Sequence, residues 1–320
     1  MRPLVLLLAI AIAAPLRAQA PSPHAIDIPR WFTETFLDIP NDVAEAAAQG
    51  RRVMLYFGQD GCPYCTALMQ TNFSQRAIVD KTRRHFVAIA LNLWGDREIA
   101  WIDSRRMTEK TLGRELRVQF TPTLLFLDEK GAVALRLNGY LPPHRFEAAL
   151  DYAAGLAGKG VRYDEYIRTA IKEAASATLH DETFFAALPV MLTGAKPVAL
   201  LFETPYCAGC DELHRESLQR PEVRRLLERF SVYRLTLNDM RTPKTNWARE
   251  LRVAYTPTIV FFDRGTEVFR IDTYLRPFHL SSAFDYVASR AYRKEPSFQR
   301  YLQSRTERLR GRGDKVDLWN

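Results

Sequence analysis

Short apolar runs alternate with helix-permissive polar stretches along this chain, and the same order of runs occurs twice. Val53-Met54-Leu55-Tyr56-Phe57 and Val198-Ala199-Leu200-Leu201-Phe202 are continuous apolar segments of strand length. Each leads through a tight loop into a helical stretch, reaching about Asp80 in the first case and Arg229 in the second. A second apolar strand follows, Phe86 to Leu91 and Val232 to Leu237. Another helical segment then ends just before a Thr-Pro-Thr tripeptide. Beyond it come two strands joined by a turn, Leu124–Leu127 then Ala132–Leu137, and Ile259–Phe262 then Glu267–Ile271. Helices beginning near Pro142 and Pro277 close the two series. Strand, helix, strand, hairpin and helix predict an α/β unit: a mixed sheet flanked by helices on both faces.

The repetition extends to individual residues. Glu115-Leu116-Arg117-Val118-Gln119-Phe120-Thr121-Pro122-Thr123 reappears as Glu250-Leu251-Arg252-Val253-Ala254-Tyr255-Thr256-Pro257-Thr258. Phe126, Asp128, Gly131, Arg136 and Tyr140 match Phe261, Asp263, Gly265, Arg270 and Tyr274, and Asp151-Tyr152 matches Asp285-Tyr286. An internal duplication is the reading, each copy one folding unit. The expected boundaries are residues 27–155 for the first unit and 181–292 for the second. Between them a glycine-rich break at 155–160 opens a linker, 156–180, whose stretch Tyr163–Thr178 reads as helical. Residues 293–320 form a basic helix and tail.

The N-terminus changes the setting. Arg2, the apolar stretch Leu4–Ala14 and Ala18-Gln19-Ala20 have the order of an export signal, 1–20, cleaved near Ala20. The stretch is too short to span a bilayer, no other segment is a transmembrane candidate, and no cysteine follows as a lipid acceptor. The expected location is therefore the periplasm. Export also reduces what the net charge of +8 means, because an exported protein rarely meets nucleic acid. Much of the excess lies in Arg293, Lys294, Arg300, Arg305, Arg308, Arg310 and Arg312, read as a solvated basic face, with an anionic membrane surface or acidic partner as the alternative.

The chain has four cysteines, placed as Cys62-Pro63-Tyr64-Cys65 and Cys207-Ala208-Gly209-Cys210, one pair per repeat. Structural disulfides of exported proteins usually join distant positions, and closing so short a loop constrains the unfolded chain least. Redox chemistry is the better reading. A zinc ribbon would bring both pairs within about twenty residues, which these are not. Covalent haem needs a histidine after the second cysteine, where Thr66 and Asp211 stand. The six histidines have no ligand spacing, and His85, His144 and His279 read as packing or surface residues. If each first cysteine opens a helix, unpaired backbone N–H groups and the helix dipole favour its thiolate. Pro63 then falls where a missing N–H costs nothing, and the second cysteine lies one turn on, on the same face.

Motif, proline and element order together resemble the thioredoxin-fold thiol-disulfide oxidoreductases, in both halves and over nearly all of the chain after the signal. Cys-Pro-Tyr-Cys, Asn92-Leu93-Trp94-Gly95-Asp96 and Phe120-Thr121-Pro122-Thr123 further resemble the exported SoxW-type thioredoxins. The resemblance implies redox disulfides Cys62–Cys65 and Cys207–Cys210, with Cys62 and Cys207 as nucleophiles and Cys65 and Cys210 as resolving thiols. It assigns Thr121-Pro122 and Thr256-Pro257 to the cis-proline loops, whose backbone edge would pair with an extended substrate. Two positions depart from thioredoxin itself. Gly61 and Tyr206 replace the tryptophan before the nucleophile, and Tyr56 and Leu201 stand where thioredoxin buries an acid on the preceding strand. Asp60 and Glu203 are nearby acids at non-equivalent positions. Members of the superfamily span roughly −270 to −120 mV, and the Pro-Tyr and Ala-Gly dipeptides predict two unequal potentials in the reducing to middle part of that range.

These readings predict an exported enzyme that reduces disulfides of other proteins and is recharged, as the resemblance implies, by a membrane thiol-reductant transporter. A disulfide oxidase or isomerase would use the same residues, and a binding module is the alternative in which one domain has lost its redox role. The chemistry requires no organic cofactor and no metal, and nucleic acid is not an expected partner.

Overall fold

The computed structural model describes residues 26–187, 192, 194–236 and 247–319. The export signal lies outside the described residues, as does Leu237.

The first unit opens with α1 (Ile39–Ala48) and continues through β1 (Arg52–Gly58), α2 (Pro63–Ala67), α3 (Arg76–His85) and β2 (Phe86–Asn92). A two-stranded ribbon, β3 (Glu98–Ala100) and β4 (Arg106–Thr108), precedes α4 (Glu109–Glu115). The hairpin β5 (Thr123–Leu127) and β6 (Val133–Asn138) then leads into α5 (Pro143–Gly155). Strand order is β2-β1-β5-β6, with β1 parallel to β2 and antiparallel to β5. Alternation along the strands divides the core into two layers. Met54, Tyr56, Leu124 and Phe126 point to the side of α2 and α5 with Phe146, and Val53, Leu55, Phe57 and Leu125 point to the side of α1 and α4 with Ile39 and Leu112. Because both sheet faces are covered, β1 is buried at every position, which accounts for its apolar run Val53–Phe57.

The second unit repeats this plan. Its elements are β7 (Val198–Glu203), α7 (Ala208–Glu212), α8 (Pro221–Leu227), β8 (Ser231–Thr236), α9 (Trp247–Glu250), β9 (Thr258–Asp263), β10 (Thr266–Ile271) and α10 (Pro277–Ala288). Its sheet runs β10-β9-β7-β8, again with one parallel and two antiparallel pairings. The α/β fold of two mixed, helix-flanked sheets is as the sequence predicts.

Two expected segments differ. The linker is helical only in α6 (Tyr163–Ala170), and from Ile171 to His180 the chain has no regular secondary structure. There its polar groups bond to the flanking units instead of continuing a helix. The Glu173 carboxylate accepts from Arg145 Nε at 2.8 Å, and Ser176 N donates to Asp211 Oδ2 at 2.7 Å. The second unit also reaches beyond residue 292. Helix α11 (Phe298–Gly311) inserts Phe298, Tyr301 and Leu302 into the core that holds Phe269 and Tyr286. Its cations are engaged as well as solvated: Arg300 lies over the Trp94 ring at 5.0 Å and Arg305 Nη1 donates to Ser282 Oγ at 2.9 Å.

The units are docked through these same elements. Phe120, immediately before Thr121-Pro122, packs into the core of the second unit, 5.9 Å from Phe269 and 5.6 Å from Phe298 between ring centres. Beside it, Phe298 N donates to Gln119 Oε1 at 2.8 Å and Gln299 Nε2 to the Gln119 carbonyl at 2.9 Å. Gln59 bridges Trp94 Nε1 and Gln299, which gives Trp94 an anchoring role at the seam.

Candidate active site

Each cysteine pair sits where the central strand of its sheet ends and the next helix begins. Cys62 is the N-cap of α2 and Cys207 that of α7, and their Sγ atoms accept from the backbone N–H groups of Cys65 and Cys210, both at 3.1 Å. Pro63 occupies the first turn of α2, where no partner for its nitrogen is needed. After one turn both helices widen into a π turn, Leu68–Asn72 and Leu213–Leu218. Within each pair the sulfurs are bonded, with Cα atoms 5.3 Å apart for Cys62–Cys65 and 5.2 Å for Cys207–Cys210. The residue before each pair is left-handed: Gly61 at φ 73° and Tyr206 at φ 59°. Glycine tolerates this freely. Tyr206 is held there by its N–H donating to the Ser176 carbonyl at 2.7 Å, and its ring stays exposed.

The Thr-Pro loops lie against the sulfurs. Both peptides, Thr121-Pro122 and Thr256-Pro257, are cis. Cys62 Sγ is 3.3 Å from the Thr121 carbonyl oxygen, whereas Cys207 Sγ accepts from Thr256 Oγ1 at 3.4 Å. The equivalent sulfurs therefore meet different groups, a carbonyl in one unit and a hydroxyl in the other. All eight sequence-predicted site residues thus gather as two groups of four.

The two groups face one cleft. A single cavity of about 1270 Å³ is lined by Cys62, Thr121, Cys207, Thr256 and Pro257, along with residues of the linker and the C-terminus. Each cysteine loop also touches the opposite unit. Tyr64, between the first two cysteines, shares a hydrogen bond of 3.1 Å with His279 Nδ1 at the start of α10. Arg145 of α5 reaches over the second loop, and a Cβ added at Gly209 would lie 3.9 Å from its Nη1 and 3.1 Å from Pro257 Cδ. The absence of a side chain at Gly209 leaves room for the close approach of Pro257 to the second cysteine loop. His279 is buried, and burial together with the Arg276 charge pushes its pKa down to about 3, so the ring is neutral where it meets Tyr64.

Beneath the sulfurs the units diverge. Tyr56 takes the strand position of the expected buried acid, and among the described residues its hydroxyl has no hydrogen-bond partner. Burial and the Asp60 charge push its ionisation far up, so it remains a neutral phenol. The second unit instead buries a carboxylate–imidazole cluster that the sequence reading missed. His214, one turn after Cys210, places Nε2 2.7 Å from Glu203 Oε1 and Nδ1 3.0 Å from Glu182 Oε1. Burial opposes the imidazolium, but the two carboxylates outweigh it and raise the pKa of His214. Glu182 is further held by Arg224 at 2.7 Å, and His180 stacks on His214 with ring centres 4.5 Å apart. The signal available in the sequence was a buried Glu on a strand followed by a His on the next helix, visible only once that strand and helix are known to pack together.

Paired cysteines at helix N-termini against cis-proline loops, on two sheets of this topology, define a thiol-disulfide oxidoreductase. The Thioredoxin-like domain family matches residues 39–154 and 184–288, and the chain belongs to it. No curated protein matches the chain. Among solved structures it is similar to a thioredoxin-fold protein from Helicobacter pylori, at 24% identity over 44% of this chain and 91% of that one, with a TM-score of 0.36. A thioredoxin from Thermus thermophilus is 28% identical over 38% of this chain and 87% of its own, with a TM-score of 0.30. The C-terminal domain of Neisseria meningitidis DsbD in the reduced form is 18% identical over 28% and 79%, with a TM-score of 0.25.

Proposed function

We propose that this protein is exported to the periplasm and reduces disulfides in other polypeptides at both of its cysteine pairs. The observation that carries the reading is that each first sulfur caps a helix and lies beside a Thr-Pro loop. Backbone N–H groups at that position favour a thiolate on Cys62 or Cys207. The thiolate attacks one sulfur of a substrate disulfide, forms a mixed disulfide and releases the other substrate sulfur, which takes up a proton. The thiolate of Cys65 or Cys210 then attacks the first cysteine's sulfur and frees the second substrate thiol. The substrate gains two electrons and two protons, and the enzyme pair ends oxidised. Thr121-Pro122 and Thr256-Pro257 hold an extended substrate segment by its backbone. The apolar start of the chain supports export, and the SoxW-type resemblance favours recharging by a membrane thiol transporter. No helix among the described residues is long and apolar enough to cross a membrane.

The test is a glutathione titration of the Cys62→Ser,Cys65→Ser and Cys207→Ser,Cys210→Ser variants, one intact pair at a time. Potentials toward the low end of the roughly −270 to −120 mV range are the expected result. Values near the upper end would replace the reductase with an oxidase or isomerase.

A further inference from the structure

The described residues that follow α11 turn back toward the body of the protein. After α11, a turn in which Asp314 N donates to the Leu309 carbonyl sends the chain back, and Val316, Asp317, Leu318 and Trp319 line the cleft that holds both cysteine pairs. The segment leaves the second unit and ends on the first. There the Trp319 indole lies 5.2 Å from the ring of Tyr64 and 5.8 Å from that of Tyr140, with the Arg276 guanidinium 4.4 Å from its own centre. A turn shapes the approach, Trp319 N donating to Asp317 Oδ1 at 2.8 Å.

The composition of this pocket identifies its ligand. Two tyrosine rings and a guanidinium present aromatic edges and faces together with a cation, a set that selects a flat π-system over an aliphatic chain. Its position identifies the source. Tyr64 stands between Cys62 and Cys65, so a ring packed against it belongs to a chain segment that passes close to the nucleophile. Trp319 is only half-buried and lines the same cleft as Cys62, so a polypeptide that reaches this sulfur enters the cleft that the tail shares.

We propose that Tyr64, Tyr140 and Arg276 form a subsite for an aromatic side chain flanking the reacting cysteine of a client polypeptide, and that Trp319 fills it in the resting protein. The client's being a disulfide-bearing polypeptide rests on the function proposed above, but the subsite itself does not require redox turnover. A tethered tail acts at an effective concentration in the millimolar range, so it excludes weak ligands and yields to a client held also by the Thr-Pro loop.

The experiment uses the full chain and a form ending at Lys315, both with intact disulfides, and a fluorescein-labelled peptide with the sequence of residues 315–320. Fluorescence anisotropy reads binding, and cooperative urea unfolding verifies that the shortened chain is folded. The shortened chain binds the peptide at least tenfold more tightly than the full chain does. Replacing the peptide's tryptophan by alanine, or introducing Arg276→Ala into the shortened chain, weakens binding at least fivefold. No binding to the folded shortened chain overturns the subsite, and equal binding to both chains overturns its occupation by Trp319. Disulfide exchange is measured separately on the same two chains. Peptide binding without exchange would refute the redox function and leave the subsite standing, and exchange without peptide binding would do the reverse.

Discussion

His279 ties the docking of the two units to pH. It is 6% exposed, bonded to Tyr64 across the seam, and its pKa falls from 6.5 to about 3 because burial and Arg276 both disfavour the cation. The sign follows from linkage. The unfolded chain takes up a proton on this ring as pH drops through 6.5, and the folded chain does not until about 3. Stability from this group is therefore complete above 6.5 and is lost progressively as pH falls toward 3. At about 1.4 kcal/mol per unit, moving from about pH 7 to about pH 5 removes about 2 kcal/mol. The assay is urea unfolding at both pH values for the wild type and for His279→Leu. Leucine forfeits the Tyr64 hydrogen bond at either pH, so that loss cancels, and the acid-dependent part is isolated by the difference of differences. The variant is expected to lose about 2 kcal/mol less than the wild type on acidification. An identical acid loss in both proteins would refute the assignment of a neutral, buried His279 at the seam.

Other perturbations separate the remaining contributions. Phe120→Ala empties an aromatic site in the opposite unit's core; it is expected to cost about 3–5 kcal/mol and to split a single calorimetric unfolding peak into two. Glu203→Leu leaves His214 with a single carboxylate partner in a buried cluster and is expected to cost about 3–5 kcal/mol by urea titration. The raised pKa of His214 contributes stability below 6.5 that is lost as pH rises through the folded value, so His214→Leu flattens this alkaline-side loss in the same titration. Gly61→Ala meets no atom within 4 Å, which isolates the cost of φ 73° at about 1–2 kcal/mol, read from the shift in urea midpoint.

The chemistry was legible because it is local. Cys-x-x-Cys needs only four consecutive residues, and the inner strands of the two sheets announced themselves by unbroken apolar runs such as Val53–Phe57. What escaped depends on pairs far apart in sequence. Tyr64 and His279 meet across the seam, and neither residue type nor spacing marks them as partners. His214 lacked ligand spacing because its partners, Glu203 and Glu182, lie on a strand and a connecting segment rather than on its own helix. The linker read as helical through Thr178 by composition, but Arg145 and Asp211 compete for Glu173 and the Ser176 N–H. The tail read as a basic extension because charge outnumbered its one decisive residue, Trp319.

Phe120 belongs to one repeat by sequence and to the other by burial. A gene that lost either copy would leave the survivor with an aromatic side chain in water or an empty site in its core. Duplicated domains ordinarily remain interchangeable parts, free to be shed or shuffled. Here the shared phenylalanine works as an evolutionary ratchet. Because its side chain fills the other unit's core, the loss of one copy is expected to destabilise the survivor.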